Sequence, residues 1–405
     1  MSNTKLFSPK ILVGLFLTFV LSAGLAYAIV PSDGGSLLSP TANIPESEKT
    51  GAGFGQFAGE PVTEACPLNG KLYTKSERNL WETKRPILAM IENDIHARPH
   101  SGLSSADIVY EAVAEGGITR FMGVFYCGAQ SDTAKVAPVR SARIYFVNIA
   151  AEYNTPVYMH VGGGNCSADE ASGQCTSNKK AWALEELVKL GWRKMGGNDF
   201  DTVGDIGVPV MKRDWTRLGP NVELATEHTY VGYLSYAWKE ADKRGYNSVM
   251  PGGKTWISGF KPWLSGSTGI KGEAAQNITY DFWSNYKDFA VEWKYDATTK
   301  EYQRNQGSAP QIDLETGKQV TAPNILIQFT KEEGPLDEHK HMFYTVIGEG
   351  TGLYFTGGQV IPVKWKKATQ LGRTVFTDAS GKEVSFTPGA IWVSILPIGN
   401  KVVYN

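Results

Sequence analysis

The chain has 405 residues, enough for two or three domains of ordinary size, and its 42% hydrophobic and 20% charged residues suit a globular protein. Lys and Arg number 40 against 41 Asp and Glu, so the formal net charge is -1, no global field exists to hold a polyanion, and nucleic acid is not expected as the main partner. The 46 aromatic residues (11 Trp, 18 Tyr and 17 Phe) supply a sizeable core.

The first element in the chain is apolar. Lys5 and Lys10 precede Ile11 to Val30, 20 residues without a charge, ending in the small-x-small pattern Ala26-Tyr27-Ala28. Residues 1–30 therefore read as a signal peptide or, at roughly 30 Å of helix, as an N-terminal transmembrane anchor. Either way the basic residues favour the inside and the remainder is exported. Residues 31–65 are rich in Gly, Pro and Ser and read as a flexible linker. No Cys follows the apolar run, so a lipid attached at that point is not expected. The expected location is extracytoplasmic, membrane-anchored or secreted.

Two regions follow, a mixed α/β region over 66–275 and a β-rich region over 276–405. In the first, Ile87 to Ile91 reads as a buried strand. Ala106 to Glu115 reads as a helix capped by Gly116-Gly117. Ile118 to Tyr126 is β-rich, and Ser141 is placed as the N-cap of a helix running to Tyr153. Pro156 to Val161 is a strand leading into Gly162-Gly163-Gly164. Lys180 to Leu190 and Tyr233 to Arg244 are helical. In the second region, Val291, Trp293 and Tyr295 alternate with Glu292, Lys294 and Asp296, the period of a half-exposed strand. Asp296 to Lys300 forms a turn, with Tyr302 to Arg304 returning. Asn324 to Phe329 is an apolar strand. Gly357-Gly358 marks a two-residue hairpin, Gly381 a turn, and Ile391 to Leu396 the final strand.

Cys66, Cys127, Cys166 and Cys175 are an even set in an exported chain, which favours disulfides. Four cysteines allow three connectivities. A local Cys166–Cys175 bridge would pin a loop with little core of its own, which leaves Cys66–Cys127. Zinc is the weaker reading, because no C-x-x-C pair or His at ligand spacing accompanies them. Neither a metal nor a cofactor is expected.

Several stretches carry a family resemblance: Arg85-Pro86, Ala97-Arg98-Pro99, Gly102-Leu103, Ala106 to Glu111, Glu115 to Phe121, Pro138 to Arg143, Arg213-Asp214 and His228. In the β-rich region Gly348-x-Gly350, Trp365, Gly381-Lys382-Glu383 and Pro388-Gly389-x-x-Trp392 join them. Together these resemble the YerB-like family of bacterial lipoproteins. The resemblance spans nearly everything after the linker. It implies an α+β fold, with a layered β-β-α N-terminal domain and a smaller β-rich C-terminal domain, in the cell envelope. It implies no reaction.

Glu111 and Glu115 lie four apart, on one face of the expected helix, and paired carboxylates suit glycosidic acid/base work. His160 beside the triple glycine, and His228 with Asp214, are the other catalytic candidates. Arg120, Arg140, Arg143 and Ser141 form an expected anion site. Its negative charge comes either from Glu111, Glu115 or Asp107 folding back, or from a bound carboxylate or phosphate. The exposed aromatics of the β-rich region could stack on sugar rings, although such residues are more often core or cross-strand pairs. No complete nucleophile, metal or cofactor set can be assembled, so the leading expectation is a protein that binds a cell-envelope polymer or a membrane-associated protein, through the β-rich end or the arginines. The rival is an extracytoplasmic hydrolase or transferase acting on an envelope glycopolymer. Carboxylates and a histidine converging in one open cleft would favour the rival.

Overall fold

A computed structural model describes residues 59–166, 175–266 and 270–405. The apolar segment 11–30 and most of the linker lie outside the described residues. No helix among the described residues is long and apolar enough to cross a membrane.

The elements that build the frame are, in chain order, β1 (Ile87–Glu92), β2 (Ile108–Glu115), β3 (Ile118–Phe125), α1 (Ile144–Ala150), β4 (Val157–His160), α2 (Ala183–Lys189), β5 (Asp199–Asp201), α3 (Leu234–Lys243), β6 (Asn277–Tyr280), β7 (Val291–Asp296), β8 (Glu301–Gln306), β9 (Asn324–Thr330), β10 (Gly348–Thr356), β11 (Gln359–Lys367), β12 (Ile391–Pro397) and β13 (Val402–Tyr404). The fold is α+β.

Among the described residues the main sheet has 11 strands, and the frame strands among them run in the order β11-β10-β9-β12-β2-β3-β1-β4-β5. Strand β12 from the chain's end pairs in parallel with β9 on one side and β2 on the other, Val393 opposite Tyr110. The sheet therefore passes across residue 275 without a seam. β1 is buried along its whole length, as expected of a strand flanked on both edges and covered on both faces.

Two expectations are corrected here. Ala106 to Glu115 is not a helix: Ile108–Glu115 is a strand buried at seven of its eight positions. Burial on both faces removes the alternation that would mark it, while Ile108, Val109, Tyr110 and Val113 favour the pleat. Gly116 (φ 53°) and Gly117 (φ 88°) form the β2–β3 hairpin turn, a left-handed pair suited to a type I′ connection rather than a helix cap. Ser141 is not an N-cap either. Helix α1 starts at Ile144, and Arg143 occupies the cap position in an extended conformation without a capping side chain.

A second sheet, β8-β7-β6-β13, lies against one face of the first. Its alternation is as expected, with Val291 and Trp293 inward and Lys294 outward. Trp392 of β12 meets Trp293 of β7 edge-on at 5.4 Å between centroids, and the Tyr280 hydroxyl lies 2.7 Å from that of Ser394. Helices cover the other face. The Tyr145 hydroxyl of α1 donates to the Val113 carbonyl at 2.7 Å, and the Trp238 indole of α3 donates to the Arg85 carbonyl at 2.8 Å. The layers are thus β, β, α. The large aromatics of the β-rich region (Trp293, Tyr302, Tyr344, Tyr354, Trp365, Trp392) are buried core, which removes them as a sugar-stacking platform.

Cys66 is bonded to Cys127 and Cys166 to Cys175, with Cα atoms 6.0 and 5.0 Å apart. Beside the first bridge, Asp107 accepts from the backbone N–H of Tyr126 (2.8 Å) and Cys127 (2.9 Å). Burial outweighs those bonds and pushes its carboxyl up to about 6.

Candidate functional site

Strands β1 and β2 are both antiparallel to β3, and β4 and β5 run parallel to β1. The carboxyl ends of β1, β2, β4 and β5 therefore emerge on one edge of the sheet. Each ends in a charged or titratable residue: Glu92, Glu115, His160 and Asp201.

Glu115 is gripped from two sides, by Arg120 Nη2 at 2.6 Å and Arg143 Nη2 at 2.5 Å. Arg120 also donates to the Ser141 carbonyl, and Arg143 to that of Ala142. Burial works against the Glu115 carboxylate, but the two guanidinium groups outweigh it and hold the group at about 2. Burial in turn pulls Arg120 down to about 10. Arg140 does not join this cluster directly; its Nε donates to Glu92 at 3.0 Å. The other Glu92 oxygen lies 2.8 Å from Nδ1 of His228. This bond above all, helped by the nearby Asp94, raises the His228 imidazole above its ordinary value.

The remaining candidates separate. A register irregularity between Val113 and Glu115 turns Glu115 away from Glu111, so the two carboxylates do not share a site. Glu111 points toward the second sheet and pairs with Arg304 at 2.7 Å, both side chains fully buried. His160 is buried against Asp199, with its Nδ1 2.8 Å from the Gly162 carbonyl. Burial opposes its charge, yet Asp199 keeps the imidazole above its ordinary value. Arg193 bridges Asp199 (2.7 Å) and Asp201 (2.9 Å). Asp214 does not meet His228; its carboxylate caps Thr216 at 3.0 Å, and Glu92 and Asp94 take the place expected for it. The triple glycine is a backbone device: a Cβ on Gly164 would stand 2.2 Å from the Ala181 carbonyl.

The Glu115 grip predicts a pH signature. A carboxylate depressed below its unfolded value stabilises the fold above the ordinary carboxylate range and loses that contribution as pH falls toward 2. Arg143→Ala should cost about 2 kcal/mol, since Arg120 remains as partner. Glu115→Gln should flatten the acid limb of stability, measured by urea midpoints from neutral pH downward. An unchanged acid limb in Glu115→Gln contradicts the assignment.

At the opposite edge, before β1 and beyond β3, a cavity of about 500 Å³ opens between Lys84, Gln130, Asp132 and the outer side of α3, with Trp238, Asp242 and Tyr246 in its wall. Lys84 Nζ sits 4.7 Å from the centre of the Trp238 ring and donates to the Gln130 amide oxygen at 2.6 Å. Burial pulls this ammonium down to about 8, partly offset by Asp132 and reinforced by Lys239. Reading the sequence misses this site, because Lys84, Gln130 and Trp238 share no motif. The one available signal is Lys84's place next to the family stretch Arg85-Pro86.

Two family models match, the "Protein of unknown function (DUF3048) N-terminal domain" over residues 72–201 and its C-terminal domain over 278–393. "Putative lipoprotein YerB" of Bacillus subtilis (strain 168) is 31% identical over 334 residues, covering 82% of this chain and 86% of that protein. The chain belongs to the DUF3048 family. The crystal structure of YerB from Bacillus subtilis superposes with a TM-score of 0.63 at 27% identity, covering 84% of this chain and 100% of that one. In the DUF3048 fold seen here, the resembling stretches hold the frame. Arg85 donates to the carbonyls of Asn247, Thr155 and Val249, while Asp107, Glu111, Glu115, Arg120 and Arg143 each pair with partners within the chain.

Proposed function

We propose that this chain is an extracytoplasmic, membrane-associated envelope protein that binds an anionic envelope glycopolymer in the Lys84 cavity. The N-terminal apolar segment supports the location, together with the similarity to a protein described as a putative lipoprotein. The observation that carries the binding reading is Lys84 itself. A half-buried ammonium whose hydrogen-bonded partner is a neutral amide, and whose burial Asp132 offsets only in part, gains from an incoming carboxylate or phosphate. The aromatic wall and the amide and hydroxyl groups around it suit a ring carrying hydroxyls, and the volume lies in the range of small-ligand sites. The hydrolase reading that rests on Glu111 or Glu115 with His160 or His228 loses support, because each of these is held in an ion pair of its own.

The test is retention of the purified full-length chain on immobilised anionic wall polymer, with a neutral glycan for comparison. Lys84→Gln should weaken retention roughly ten- to hundredfold, the value of a charge-assisted hydrogen bond. Equal retention of the two proteins, or equal binding to the neutral glycan, contradicts the reading.

A further inference from the structure

At the charged edge, Asp94, His96 and His228 bring three donor atoms within 4.8 Å of one another. Asp94 starts the short 3-10 turn Ile95–Ala97 and accepts from the backbone N–H of His96 at 2.9 Å, which fixes the carboxylate beside that imidazole. His228 ends a second 3-10 turn, Thr226–His228, and its ring lies nearly parallel to that of His96. Asp94 Oδ1 is 2.9 Å from His96 Nδ1 and 3.9 Å from His228 Nε2.

We propose that Asp94, His96 and His228 bind a divalent late first-row transition metal, of which Zn²⁺ fits best. Ligands at about 2.0–2.2 Å in a tetrahedron stand roughly 3.3 Å apart, a spacing that the two measured separations bracket. Two imidazoles and one carboxylate are the donor set such ions prefer, whereas Ca²⁺ and Mg²⁺ seek oxygen. A second, independent observation is the bond between Glu92 and Nδ1 of His228. A carboxylate on one ring nitrogen orients the imidazole so that the other nitrogen presents its lone pair, the supporting arrangement usual for metal-bound histidine. Here the other nitrogen is the one facing Asp94.

The local charge also admits a dication. Glu92 and Asp94 contribute two negative charges; Arg140 pairs with the far oxygen of Glu92, while Arg98 lies near enough to interact with Asp94 but spends its hydrogen bonds on the carbonyls of Asp288 and Asn93. Arg217 is turned to the carbonyls of His228, Pro99 and Ala97. His96 is mostly exposed at 75%, so the site opens to solvent and keeps a coordination position for water or an anionic group. The other three-residue group among the described residues, Cys66, Asp107 and Cys127, has both sulfurs committed to a disulfide and is no rival. Local spacing does not mark this set, because His228 stands far along the chain from Asp94-Ile95-His96.

The full-length chain, stripped with chelator and dialysed, is titrated with Zn²⁺ by calorimetry and with Co²⁺ by visible absorption. One ion per chain should bind, with a Co²⁺ spectrum of low coordination number. His96→Gln touches an exposed side chain and leaves the fold intact, and Asp94→Asn keeps the turn cap; each should abolish the spectrum. Glu92→Gln should weaken binding roughly 10–100-fold. His339→Gln, at an exposed histidine elsewhere, should change nothing. Absence of binding to the unaltered chain, or binding that survives both His96→Gln and Asp94→Asn, overturns the proposal.

Discussion

Replacing Arg304 with alanine should destabilise the fold by about 3–5 kcal/mol, the cost of stranding a buried charge. Arg304 rises from β8 on the inward face of the second sheet and meets Glu111 of the main sheet at 2.7 Å. Its guanidinium lies over Trp392 at 4.5 Å, Trp293 at 5.5 Å and Phe121 at 5.7 Å, and it also donates to the Gln311 side chain. Thr119, Trp392 and Gln306 complete the shell of the Glu111 carboxylate, at 3.0, 3.2 and 3.3 Å. Burial already raises the Glu111 carboxyl, so removal of its counter-charge leaves a group that must protonate or draw in water. The pair joins residues 193 apart in sequence, on the two sheets, so the variant should weaken both halves together. Urea unfolding followed by tryptophan fluorescence and by circular dichroism should shift by the same amount. The double change Glu111→Leu with Arg304→Met should recover most of the loss, because well-packed apolar pairs replace buried ion pairs at little cost. A loss below about 1 kcal/mol in Arg304→Ala, the scale of an exposed pair, contradicts this account of the interface.

Opening the Cys66–Cys127 bridge should cost about 4 kcal/mol, against about 2–3 for Cys166–Cys175. The difference follows from the loops closed, 61 residues in one case and nine in the other. The long loop contains β1, β2 and β3, the centre of the main sheet. Cys127 also follows Tyr126 at the backbone groups that hold Asp107, so its release loosens the end of β3. Paired Cys→Ser variants compared by denaturant midpoint test this. Equal losses, or a larger loss at Cys166–Cys175, contradict it.

The half-buried strands were legible in the sequence, because one face meets water and the pattern alternates, as in Val291 to Asp296. The Gly357-Gly358 hairpin was legible for its turn chemistry, both residues having positive φ. Strand β2 was not: covered on both faces, it shows no period, and Glu111 and Glu115 are spaced acceptably for a helix. The same double glycine can end a helix or turn a hairpin, and only the pairing of Val109 with Gly123 decides. The basic and acidic members of the charged edge were visible, but their pairing was not. Arg140 meets Glu92 across 48 positions and His228 meets the same residue across 136, distances that local spacing does not encode. Lys84 and Trp238 come together through the packing of α3 beneath β1, and nothing in either segment marks the other.

Binding of the full-length chain to anionic wall polymer as a function of pH tests the functional account most directly. The polymer's phosphate or carboxylate stays charged through the alkaline range, while burial leaves Lys84 titrating at about 8, with Asp132 opposing and Lys239 assisting the loss of its proton. The affinity of the unaltered chain should therefore fall as pH rises through about 8, and Lys84→Arg, which keeps its charge, should bind on undiminished past that point. An affinity that does not change through that range in the unaltered chain would contradict the assignment of the cavity.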